Sequence, residues 1–369
     1  MNFDLTEDQE MLKALAERFV SDRYDIERRR EYVASETGFS QANWSLLGEL
    51  GLIAALFDEA DGGFGLDATG IATVFEALGN GLVVEPLIEN VLVGAGLFAA
   101  GAPDDLRDQW LPDLVSGKRR LALAHVESRA RPGSLWVETK AAANGAGLCL
   151  SGTKDYVPAA NGVDGFIVSA RSAGQPGDVD GLDLYFIPSG TQGLTIKSWR
   201  MADGSSAVSL TLDNVIGAIA LRGGYAAIEA AQTRANLARC AEAVGIMERL
   251  FAETLEYLRT RRQFGSRLAD FQAIQHRMAA QYASLEQSRA LLNLALVSDG
   301  TDAFATAVQG ARAHIGPASI MLGHEMIQFH GGMGVTDELS IGHGHKRLLV
   351  LSRWPDDPDT ALDRFAGIA

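Results

Sequence analysis

Between Arg259 and Gln275 the chain reads RTRRQFGSRLADFQAIQ. Arg259, Arg261 and Arg262 place permanent cations with directional donors close together, and a guanidinium holds an anionic oxygen group better than an ammonium does. Phe264 adds an aromatic surface, Gly265 a position without a side chain, and Gln272 an amide that both donates and accepts. Farther along, QFHGGMG joins Gln328 to Gly331 and Gly332, where backbone N–H groups can come close to a ligand. Taken singly, these features read as a solvated helix end and a turn. Taken together, they raise the question of which anion this helix faces, and whether that anion belongs to the same chain or to a neighbour.

Other chemistry is thinner. His343 and His345 in GHGHKR, with His330 nearby, have no carboxylate in ligand register. A polar glycine-rich loop accounts for them, and no metal is expected. Cys149 and Cys240 have neither CxxC nor Cys/His spacing, which fits a reducing compartment without disulfides or structural zinc.

The elements that must position these residues fall into three blocks. The first is helical: DQEMLKALAERFV places Met11, Leu12, Leu15, Phe19 and Val20 on one face, and WSLLGELGLIAAL and GIATVFEALGNGL follow, with a glycine-rich loop from Asp58 to Gly70 between them. From Leu121 to about Leu221 the texture turns to short apolar or alternating runs such as GLCLSGTKDYV, GFIVSAR and LDLYFIPSG, separated by Gly, Pro, Asn and Asp, which predict an antiparallel β domain. From Tyr225 long helical patterns return. The expected domains are therefore residues 1–120, 121–222 and 223–369.

A chain of 369 residues, 47% apolar and 21% charged, can bury substantial cores. Its formal charge of −15 repels nucleic acid and anionic membrane surface, so any anion site must be focal. The stretch from Met1 to Phe19 has neither the basic segment of a signal peptide nor a spanning apolar run, and a cytoplasmic protein without membrane association is expected.

Four segments in this order, LLGELGLIAALFDEADGGFGL, SGTKDYV, RRQFGSRLADFQAIQ and QFHGGMGVTDE, resemble the acyl-CoA dehydrogenase family over nearly the whole chain. The resemblance implies an α+β fold: an N-terminal helical domain, a middle antiparallel β domain and a C-terminal four-helix bundle. It also implies an FAD-dependent enzyme that desaturates an acyl-CoA thioester between its α and β carbons. Residue by residue, it implies that Arg261, Phe264, Gln272, Gln328, Gly331 and Gly332 contact FAD bound by the adjacent subunit, Arg261 at the diphosphate.

The other half of the family's site departs from pattern. Val126 stands before Glu127 where the family has threonine, and Ser134 matches the serine of the following turn only with an insertion. Tyr156, Val157 and Pro158 replace Trp-Ile-Thr, so a second hydroxyl is lost and proline removes an N–H. At the two places where the family carries its carboxylate base stand Pro355 and Ala235. Asp356, Asp357 and Glu242 are the acidic neighbours, and the catalytic base stays unidentified.

The pattern implies the supporting subunit of a hetero-oligomeric dehydrogenase, paired with a homologous subunit in a heterotetramer. An electron-transfer flavoprotein is a possible acceptor, and fatty, dicarboxylic or steroid acyl groups are possible substrates. Two alternatives stay open: a self-sufficient, self-associating dehydrogenase with a divergent pocket, and a catalytically silent assembly protein on the same fold.

Overall fold

The computed structural model describes residues 5–129, 135–144 and 147–368. Packing divides the chain into two compact units. One comprises residues 1–31, 67–83 and 236–369, and the other residues 32–66 and 84–235.

Local signals start the first unit. Thr6 and Gln9 form a reciprocal capping box at the head of α1 (Glu7–Arg23), satisfying two helix-end donors. Asp67 caps α4 (Ala68–Asn80), which follows α2 (Ile26–Ala34) and, in the second unit, α3 (Gln41–Glu49), by accepting from the Gly70 amide. The expected loop from Asp58 to Gly70 is thus shorter than its glycines suggested, because Glu59–Asp61 forms a 3-10 turn and α4 begins at Ala68.

The long C-terminal helices are α7 (Gly224–Thr260), α8 (Gln272–Val297), α9 (Phe304–His330) and α10 (Ser340–Arg353), followed by the short α11 (Pro358–Ala366). These are numbered after α5 (Gly96–Gly101) and α6 (Asp104–Val115). Where α7 crosses α4, glycines face backbone on both sides. A Cβ on Gly245 would lie 2.1 Å from the Glu76 carbonyl oxygen, and one on Gly79 2.3 Å from that of Glu242. Neither neighbour is a side chain that can swing aside. Gly245→Ala is therefore expected to force the helices apart and cost about 1–3 kcal/mol. Urea unfolding checks this, and an unchanged midpoint refutes it.

In the second unit the strands are β1 (Leu121–Ala124), β2 (Lys140–Asn144), β3 (Gly147–Pro158), β4 (Gly165–Arg171), β5 (Leu182–Pro188), β6 (Leu194–Arg200), β7 (Ser206–Ile216) and β8 (Ile219–Leu221). They pair in the order β6-β7-β3-β2-β4-β5-β8, with β1 on β4. Leu150, Val157, Phe166, Ile187, Val208 and Leu210 belong to one buried core.

The expected antiparallel domain needs one correction. β1 runs parallel to β4 from Leu121↔Gly165 to Ala124↔Val168, and β2 meets β4 in parallel at Lys140↔Arg171. Every residue of β4 is buried, and a continuous apolar run such as GFIVSAR records burial on both faces but not the direction of its neighbour. β2 was not visible in the sequence. Its KAAAN composition favours helix, and pairing with β3 overrides that preference.

Two local expectations are also corrected. The arginine stretch is not one helix. α7 ends at Thr260, and a hairpin follows in which β9 (Arg262–Gln263) pairs with β10 (Ser266–Arg267). Phe264 and Gly265 turn between them with φ of 53° and 84°, the positive angles that a two-residue hairpin loop requires. GHGHKR is not a loop but the first turns of α10. Its glycines permit close packing: a Cβ on Gly344 would lie 2.8 Å from a Leu250 methyl, and one on Gly342 3.3 Å from the Gly334 carbonyl oxygen. No helix among the described residues is long and apolar enough to cross a membrane.

Candidate active site

The C-terminal ends of α7 and α9 meet where Tyr257 stacks on His330, with ring centroids 4.3 Å apart and planes 22° from parallel. Both sequence motifs lie just beyond this contact. On one side, the Arg261 amide donates to the Tyr257 carbonyl at 2.8 Å, and the Arg261 carbonyl accepts from the Leu268 amide at 2.9 Å. The backbone of Arg261 is thereby fixed, while its guanidinium is exposed and bonds no described residue. Arg267 differs, being ion-paired to Asp270 at 3.0 Å.

Phe264 is 90% exposed at the hairpin tip, edge-on to Phe271. Gln272, the first residue of α8, is exposed, and its amide has no partner among the described residues. On the other side, Gln328 is exposed in the last turn of α9. Gly331 follows at φ 60°, ψ −136°, a conformation open essentially only to glycine, and a Cβ on Gly331 or Gly332 would meet nothing within 4 Å. Below them Arg277 bonds Glu325 at 2.6 Å and lies over the Phe329 ring, which ties α8 to α9. Among the described residues the chain thus presents an unbonded guanidinium, an exposed ring, two unbonded side-chain amides and an open glycine backbone, a donor set suited to a dinucleotide with its diphosphate.

The second unit holds the residues that depart from the family pattern. Val126 pairs with Tyr156 in an isolated bridge, beside a register shift between Lys154 and Val157. Tyr156 packs on Trp199 and donates to the Met201 sulfur at 3.5 Å; Val157 and Pro158 are buried. Ser134 lies outside the described residues.

Glu127 is fully engaged. It accepts from Lys154 Nζ at 2.7 Å, Thr139 Oγ1 at 2.6 Å, and the amides of Glu138 and Thr139 at 2.6 and 3.0 Å. Burial raises its pKa, but the Lys154 charge and these hydrogen bonds outweigh that and hold the carboxyl below the usual range. Burial brings Lys154 down to about 8, while the Glu127 charge and hydrogen bond oppose that fall.

The neighbours of the two empty base positions are committed as well. Ala235 and Pro355 are buried. Glu242 is gripped by Arg347 at 2.6 and 3.0 Å. Asp356 is fully buried between Arg312 at 3.1 Å and Arg364 at 3.3 Å. Asp357 caps α11 through the Thr360 amide, which lowers its pKa. Sequence reasoning missed Lys154 as the partner of Glu127. The available signal was a lysine two residues after Gly152 in an otherwise inward-facing register of β3, beginning at Leu150.

The family model described as the acyl-CoA dehydrogenase N-terminal domain matches residues 6–118, and that described as the C-terminal domain matches residues 222–354. The chain is 28% identical over 348 residues to acyl-CoA dehydrogenase FadE27 of Mycobacterium tuberculosis, covering 92% of this chain and 90% of that protein. Among solved structures, a Tcur3481-Tcur3483 steroid ACAD variant superposes with a TM-score of 0.85 at 29% identity, covering 98% of this chain and 97% of the other. The ChsE4-ChsE5 complex from Mycobacterium tuberculosis superposes at 0.84 and 25% identity, covering 100% and 98%.

Proposed function

We infer that this chain, which belongs to the acyl-CoA dehydrogenase family of FAD-dependent oxidoreductases, is the supporting subunit of a two-component enzyme that desaturates a bulky acyl-CoA thioester. The observation that carries this reading is an asymmetry of commitment. Arg261, Gln272 and Gln328 are exposed and their side chains bond no described residue, whereas Glu242, Asp356 and Asp357, the carboxylates beside the base positions, are held by arginines or a helix cap. A carboxylate held against a guanidinium or a backbone amide is not free to reach the α-proton of a bound thioester.

In this reading bound FAD would supply the hydride-accepting chemistry that the desaturation needs. Arg261 would neutralise the diphosphate, Gln272 and Gln328 would bond the adenosine half, Phe264 would offer an aromatic surface for packing, and Gly331 and Gly332 would let backbone N–H groups approach. A homologous partner supplies the base and the hydroxyls that Val126 and Pro158 lack. The two-component Tcur3481-Tcur3483 steroid ACAD and the ChsE4-ChsE5 complex support pairing, and the former supports a steroid-like acyl group. An electron-transfer flavoprotein is the proposed electron acceptor.

The test is flavin content. Two unpaired flavin groups at roughly 1–3 kcal/mol each would weaken FAD binding by about thirty- to twenty-thousandfold. The chain purified alone is therefore expected to emerge from gel filtration nearly colourless, and to carry flavin when co-expressed with a homologue that retains threonines and a carboxylate. Near-stoichiometric flavin in the isolated chain, with reduction of an electron acceptor, would establish a self-sufficient enzyme. No flavin or activity with any co-encoded homologue would point to an assembly protein.

A further inference from the structure

We propose that His343 is a positioning residue: it clamps the segment running from Gly331 to Leu339 between Arg29 and α10, and it releases that segment on protonation. The proposal rests on the reading above only in linking the segment to FAD.

The geometry fixes the proton. Arg29 is 2% exposed, its Nε donates to the Leu82 carbonyl at 3.0 Å, and its Nη1 lies 3.0 Å from His343 Nδ1. A guanidinium can only donate, so Nδ1 must be the bare, accepting nitrogen. The other nitrogen then carries the hydrogen and donates to the Asp337 carbonyl at 3.0 Å. Both ring nitrogens are therefore used in one neutral tautomer, one towards α2 and the other towards the segment after Gly332.

The segment is tied to α10 by two further contacts. Lys346 bonds the Asp337 carboxylate at 3.2 Å, and Gly342 lets α10 approach the Gly334 and Thr336 carbonyls. Between Gly331 and Val335 the chain is a 3-10 turn.

Protonating Nδ1 would point an N–H at a buried guanidinium and abolish the acceptor. Burial is the largest influence and lowers the His343 pKa; Arg29 and Lys346 lower it further, while the Asp337 carbonyl and carboxylate raise it. The net shift is below the ordinary 6.5. The sign follows: above that value neither the clamped nor the released state carries the proton. As pH falls through it, the released state takes up the proton first and the clamp weakens.

Backbone hydrogen exchange on the purified chain, corrected for intrinsic rates, tests this between about pH 8 and about pH 5. Peptides covering Gly331 to Leu339 should open roughly tenfold more often at the acid end, the factor that a hydrogen bond to a charged group carries. Peptides in the middle of α9 should not change. His343→Gln keeps an acceptor and a donor without titrating, and should remove the pH dependence. His343→Phe should leave the segment open at all pH.

Equal opening at both pH values in the unaltered chain overturns the clamp, whatever the variants do, and so does a pH dependence that survives His343→Gln. Flavin retention of the partner complex is read in parallel. If exchange follows His343 and flavin retention does not, the clamp stands and the assignment of Gly331 and Gly332 to FAD fails.

Discussion

Lys154→Met is expected to destabilise the sheet unit by about 3–5 kcal/mol, the cost of leaving one member of a buried ion pair without its partner. Lys154 is completely buried and its side chain is 2.7 Å from Glu127, which is itself only 4% exposed. The ammonium also donates to the His125 carbonyl at 3.2 Å and to Ser169 Oγ at 3.1 Å. Methionine supplies similar volume and none of these donors, so Glu127 would keep only Thr139 and two backbone amides against a buried charge.

The expected result is a lower urea midpoint, with much of the loss recovered in the double variant Lys154→Met, Glu127→Leu, which buries no charge. The loss should also shrink in acid. In the unaltered protein the lowered Glu127 pKa contributes stability that is present above its ordinary value of 4.5 and is lost as pH falls through the lowered value. In the single variant the carboxyl protonates more easily, so acid relieves the unpaired charge. A single variant as stable as the double variant at neutral pH would mean that Lys154 is merely tolerated in the core.

Arg261→Ala is expected to weaken flavin retention by the partner complex by about ten- to a hundredfold, the factor that one charge-assisted hydrogen bond carries. The fold should be unaffected, because the Arg261 guanidinium is exposed and bonds no described residue, while the hairpin is held through the Arg261 backbone, which alanine keeps. Arg259 is the control, with the same charge at the same end of α7. It lies within the helix and Arg261 just past its end, so the pair tests position rather than charge. Titrating FAD into stripped complexes of both variants decides the matter. Equal retention would return the stretch to a solvated helix end.

The sequence by itself determined the succession of helical, strand and helical blocks, because side-chain periodicity reports which faces are buried. It also supplied the residue types of both motifs, since the arginine, glutamine and glycine positions were recognisable without coordinates. Periodicity does not report which neighbour a buried face meets. The parallel pairing of β1 with β4, the helical state of β2's alanine run being overridden, and the hairpin formed at Phe264 and Gly265 were therefore decided by tertiary packing and turn geometry.

The same holds for charge. Glu127 finds Lys154 27 residues away, Glu242 finds Arg347 105 residues away, and Arg29 finds His343 314 residues away. Such pairs leave no local pattern, because the attraction depends on distance in space and on the loss of water around both partners, neither of which is written in the spacing of residues along the chain.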